Sequence, residues 1–161
     1  DALFPCGDYG CSAGLLAHPD IFIRHVYPWL KAYCDEAHRL GMMVFKHSCG
    51  RSIDIFDYFL KAGYEAYQAI QPTAGMDIKE LKERFGHGIT LWGGVSNENL
   101  IMGTPADVES DALYAYEWAA PGGGFIMGAS HSLAVGTPLE NLMTMKRFRD
   151  QHGGYPISGL K

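Results

Sequence analysis

Two hydrophobic periods take turns along this chain. Short apolar runs stand at 2–6 (ALFPC), 42–46 around MVF, 66–70 (AYQAI), 89–93 (ITLWG) and 125–128 (FIMG), each of strand length. Longer stretches of helical spacing lie between them. Residues 20–40 place Ile23, Tyr27, Leu30 and Cys34 on one helical face, and Pro28 predicts a kink or break there. A helix is expected over 52–62, with Ser52 as N-cap, and another over 77–85, with Gly86 as C-cap. TPAD at 104–107 and TPLE at 137–140 both offer a Thr N-cap, a Pro at N1 and an acid at N3. The first predicts a helix from 105 to about Ala119 and the second a helix from 138 to about 151. The closing GGYPISGLK reads as a tail.

Strand and helix therefore alternate through five β/α units, which implies parallel pairing with right-handed crossovers. An open doubly wound sheet and a (β/α)8 TIM barrel both satisfy this. The only Gly cluster of note, Gly122–Gly124, precedes its strand, so the dinucleotide fingerprint is missing. A whole barrel takes about 250 residues, so five units make the larger part of one.

The chain has 161 residues, 47% apolar and 19% charged, and carries a net charge of −5. That is a globular composition, and its acidity argues against a nucleic-acid surface. No apolar run approaches the roughly 20 residues of a membrane span, and no signal peptide is visible. The opening DALFPCGDYG suggests a start inside a larger protein. Cys6, Cys11, Cys34 and Cys49 form no disulfide framework and read as reduced thiols of a cytoplasmic protein, Cys34 as core. Trp29, Trp92 and Trp118 read as packing aromatics.

In either parallel fold, chemistry gathers at the carboxyl ends of the strands. Those ends offer Asp8 and Tyr9, His47 and Cys49, Gln71, Ser96 and Asn97, then Ser130 and His131. His47 and Cys49 are two residues apart, so an extended backbone turns both to one side, where they can face one ion. His131 would make a third ligand, and catalytic zinc typically has three protein ligands and an open position. Trp92, just before Gly93 and Gly94, is placed to line the pocket.

HSCG, AIQPTAGMDIKELKERFG, LWGGVSNENL, GTPADV and GGGFIMGASHSLAVGTPLENL, in this order, resemble the uroporphyrinogen decarboxylase superfamily. The likeness covers nearly the whole chain and matches the carboxyl-terminal portion of those proteins, which form a single (β/α)8 barrel. One branch holds the metal-free decarboxylases of heme biosynthesis. The other holds zinc methyltransferases that work with corrinoids and thiols, and these carry an H-x-C pair as zinc ligands. By the resemblance His47 and Cys49 are ligands. At the position of His131 the coenzyme M methyltransferases carry a ligand cysteine, whereas decarboxylases carry a non-ligand histidine, so either role stays open for it.

The resemblance thus implies a zinc-dependent methyltransferase that moves a methyl group between a corrinoid, held on a partner protein, and a thiol or related acceptor. Asp8 and Tyr9 are the expected catalytic residues, and Gln71, Trp92 and Asn97 the substrate-binding ones. The alternatives are a metal-free decarboxylase-like lyase and an inactive barrel fragment, whose open edges would favour self-association. No nucleic acid or membrane is expected as a partner.

Overall fold

In the computed structural model, which describes residues 1–154, side chains alternate along each strand and divide the molecule into two faces. Strands β1 (Ala2–Leu3), β4 (Met43–His47), β5 (Ala66–Ile70), β6 (Thr90–Val95) and β7 (Phe125–Ala129) form one parallel sheet in that order. A small antiparallel hairpin, β2 (Gly10–Cys11) and β3 (Gly14–Leu15), follows β1. Between the sheet strands run α1 (Pro19–His25), α2 (Tyr27–Arg39), α3 (Phe56–Ala62), α4 (Ile78–Phe85), α5 (Asn97–Met102) and α6 (Pro105–Ala119), and α7 (Leu139–His152) closes the described chain. The fold is α/β, and its five parallel strands with their crossover helices are the expected carboxyl-terminal part of a (β/α)8 barrel.

Strand register sorts the two faces. Lys46, Tyr67, Leu91 and Phe125 pair in one row across β4 to β7. The helices pack on this side, joining Phe22, Cys34, Phe56, Phe59, Leu81 and Ala115 to Val44, Tyr67 and Leu91 in the main core. The next row, Cys6, His47, Gln68, Trp92 and Ile126, faces the opposite way. On that second face Phe4 stacks on Trp92 and meets His47 edge-on, while Phe4, Met43 and Ile126 stay exposed.

Lys46 falls on the helix side through this parity. It is 1% exposed, donates Nζ–H to the Gly7 carbonyl at 2.9 Å, and lies 4.7 Å from the Tyr9 ring centre. Burial brings its ammonium down to about 8.

Several local expectations hold, and others give way to stronger contacts. The predicted break at Pro28 appears as two helices that meet at Val26, with Pro28 in the first turn of α2. Thr104 and Asp107 form the full capping box at the start of α6. TPLE forms none: Pro138 is the N-cap of α7, and Thr137 spends its hydroxyl on the Ala134 carbonyl at 2.7 Å. Ser52 does not cap a helix either. Its hydroxyl bonds the Tyr67 hydroxyl at 2.7 Å, and a 3-10 turn, Ile53–Ile55, precedes α3. Gly86 is the C-cap of α4 as expected, in the right-handed conformation, with its N–H bonded to the Lys82 carbonyl. Trp29 is 76% exposed and Trp118 half-exposed under the Lys79 ammonium, so neither is a core aromatic. Cys34 is fully buried as expected. Most of the predicted tail, from residue 155 on, lies outside the described residues.

Candidate metal centre

Asp8 follows β1, and His47 ends β4 with Cys49 two residues beyond it. One donor atom each from Asp8, His47 and Cys49 lies within 4.8 Å of the others. His47 Nε2 stands 3.1 Å from Cys49 Sγ and 3.9 Å from Asp8 Oδ1. His131, on the loop after β7, reaches the same sulfur with Nε2 at 2.9 Å. Three strand ends distant in sequence therefore meet at one thiol.

Main-chain contacts hold these loops together. The Cys49 N–H donates to Asp8 Oδ1 at 2.8 Å and the Gly50 N–H to Gln71 Oε1 at 2.6 Å. Arg51 N–H donates to the Cys11 carbonyl at 2.9 Å. Gly50 has φ of +73°, and a Cβ there would stand 2.4 Å from the Gly10 carbonyl carbon. Only glycine permits both the turn and this backbone approach. Beneath the loop, the Tyr67 hydroxyl donates to the Ser48 carbonyl at 2.8 Å.

The electrostatics fit a cation. The Cys49 N–H holds the Asp8 carboxyl below its ordinary range, so Asp8 is ionised at neutral pH. Burial first, and then the Asp8 charge, push the Cys49 thiol up to about 11. Without a cation the thiol stays protonated; a divalent ion would relieve the repulsion and take the thiolate. On the far side of His47, Nδ1 hydrogen-bonds Gln68 Oε1. A ligand histidine characteristically has its second nitrogen tied in this way. The donor set of one carboxylate, one imidazole and one thiolate suits zinc.

Sequence reasoning missed Gln68: its one visible sign was a polar residue inside AYQAI, and the register that sets it beside His47 appears only in the structure. It gave Asp8 a catalytic role; the structure brings the Asp8 carboxylate within 4.8 Å of the His47 and Cys49 donor atoms. The Tyr9 ring packs on Phe22 and Phe59 beneath Lys46, on the helix side. Gln71 buttresses the Cys49 loop, and Trp92 lies on the same sheet face as His47 and Gln68. Asn97 donates its backbone N–H to Ser130 Oγ at 2.9 Å and its Nδ2–H to the Ser132 carbonyl at 3.0 Å, which braces the His131 loop. Its buried Oδ1 has no partner among the described residues. An apolar cavity between α6, α7 and β7, lined by Tyr116, Met127, Phe148 and His152, contains none of the predicted site residues.

Residues 6–152 match the family model for uroporphyrinogen decarboxylase (URO-D). The chain belongs to the uroporphyrinogen decarboxylase family. Among solved structures, a methyltransferase from Methanosarcina mazei superposes with a TM-score of 0.79 at 22% identity, over 96% of this chain and 43% of that one. That likeness shows the fold, and the present chain spans less than half of the methyltransferase's length. A second structure, described as "Native KDPGal structure", gives a TM-score of 0.40 at 20% identity, over 75% of this chain and 54% of that one. No curated protein matches the chain. None of the described helices is long and apolar enough to cross a membrane.

Proposed function

We propose that this uroporphyrinogen decarboxylase family member supplies the metal centre of a zinc-dependent methyltransferase. One observation carries the reading: Asp8, His47 and Cys49 bring a carboxylate, an imidazole and a thiol within 4.8 Å of one another. Zinc bound there would hold an acceptor thiol deprotonated at neutral pH, or act as a Lewis acid on another methyl donor or acceptor. The chain's own residues do the remaining work. Asp8 is already ionised, and His47 keeps its ring oriented through Gln68. The clasped Gly10 and Gly50 backbones fix the separation of the two loops.

The methyl group would come from, or go to, a corrinoid carried on a partner protein, with a small thiol or related acceptor as the second substrate. Four free cysteines fit a reducing, cytoplasmic setting. Metal-free decarboxylation gives the neutral Cys49 thiol no task, so the methyl-transfer reading is preferred.

Metal content of the purified chain, measured by plasma mass spectrometry beside Cys49→Ser, tests this. About one zinc per chain, lost in the variant, supports it. Equal zinc in both proteins, or none in the wild type after refolding with zinc, defeats it.

A further inference from the structure

Two imidazoles approach the Cys49 sulfur at nearly the same distance, yet their far nitrogens are bound in opposite senses. His47 Nδ1 faces Gln68 Oε1, an amide oxygen that can only accept. The proton of a neutral His47 ring therefore sits on Nδ1, and Nε2 presents a lone pair. His131 Nδ1 receives the Ser132 N–H at 2.6 Å, and a backbone N–H can only donate. The proton of a neutral His131 ring therefore sits on Nε2, which points at Cys49 Sγ from 2.9 Å.

We infer that Gln68 and the Ser132 N–H fix these histidines in opposite tautomers, so that His47 is a metal ligand and His131 an N–H donor to the Cys49 sulfur. The ligand half rests on the zinc reading above; the tautomers do not. To ligate through Nε2, His131 would have to move its proton to Nδ1, straight against the Ser132 N–H. Asp8 completes the donor cluster instead, consistent with a His131 that stands one layer out. An N–H bond to a ligand thiolate draws charge from the sulfur and lowers its basicity. Gln68 is a positioning residue, since it acts through His47.

Ring nitrogen NMR of the metal-free chain, at a pH above the ordinary imidazole range, reads the tautomers directly. His47→Gln and His131→Gln assign the signals. The expected result is a protonated Nδ1 on His47 and a protonated Nε2 on His131. The same tautomer on both rings overturns the inference. Gln68→Met, close in shape, should release His47 from its single tautomer and leave His131 unchanged.

Cobalt loading then tests the ligand half. His131→Ala should keep stoichiometric cobalt, with affinity within about tenfold, and move the sulfur-to-cobalt charge-transfer band to lower energy. Gln68→Met should weaken binding by about 10- to 100-fold. If His131→Ala loses cobalt as completely as Cys49→Ser does, His131 is a ligand and the assignment is wrong. A wild-type chain that takes up neither zinc nor cobalt defeats the metal reading alone, and the NMR result still decides the tautomers.

Discussion

Lys46 lends itself to a quantitative test. Its ammonium is buried beneath the helices, with a single carbonyl and the Tyr9 ring as partners, and burial lowers it from an ordinary 10.5 to about 8. At 1.36 kcal/mol per pH unit, keeping the charge inside costs about 3 kcal/mol at neutral pH. Lys46→Met removes that cost but also removes the Gly7 hydrogen bond and the cation–π contact, each worth about 1 kcal/mol. The variant should therefore be more stable by about 1 kcal/mol at pH 7.

The pH dependence is the sharper part of this prediction. Below about 8 the lysine is charged in both folded and unfolded chains, and the penalty is fully present. As pH rises through that value, the folded chain gives up its proton while the unfolded chain keeps it, so wild-type stability rises until about 10.5. Between pH 7 and pH 9 the wild type should gain about 1 kcal/mol on the variant. Cys34 and Cys49, both pushed up to about 11, act in the opposite direction. They are present in both proteins and cancel in the difference. Urea unfolding of both proteins, followed by circular dichroism at the two pH values, measures this. A stability difference unchanged across that range would refute the buried-ammonium argument.

Three further outcomes are expected. Gly50→Ala needs a left-handed φ and meets Gly10 backbone at 2.4 Å, so it should destabilise the chain by about 3 kcal/mol or more and abolish zinc binding, read by thermal melting and metal content. Tyr67→Phe leaves the Ser48 carbonyl and Ser52 hydroxyl without their buried partner, at a cost of about 1–3 kcal/mol in chemical denaturation. Because the Cys49 thiol titrates near 11, zinc binding should release one proton and tighten about tenfold per pH unit between neutral and mildly alkaline solution. Calorimetry in buffers of different ionisation enthalpy counts that proton, and a pH-independent affinity would contradict it.

How far the sequence carried depended on whether a feature was local. The strands near 43–47, 66–70, 90–95 and 125–129 followed from apolar runs, and the break near Pro28 from ring sterics. The capping signal at Thr104 worked because nothing competed for its hydroxyl. The same signal at Thr137 failed because a turn carbonyl took the hydroxyl first, and Ser52 lost its capping role to Tyr67, 15 residues away. The hairpin at 10–15 and the short helix at 97–102 carry too few residues for a periodic signature.

The site divides along the same line. Strand-end logic gathers Asp8, His47, Cys49 and His131, and the structure joins them. Their roles depended on cross-strand register and on one backbone N–H, which no residue pattern spells out. Gln68 becomes meaningful only once β5 lies beside β4, and the Ser132 N–H only once its loop has turned.

The contact between Gly10 and Gly50 has a mechanical consequence. With no side chain between the two backbones, the segment carrying Asp8 and the segment carrying Cys49 form a joint without slack. The small hairpin, which presents the exposed Cys11 and leads to the exposed Leu16, is therefore seated on the Cys49 loop through main chain alone. The main-chain separation of the Asp8 and Cys49 segments is thus set by how closely the hairpin packs on the Gly50 turn.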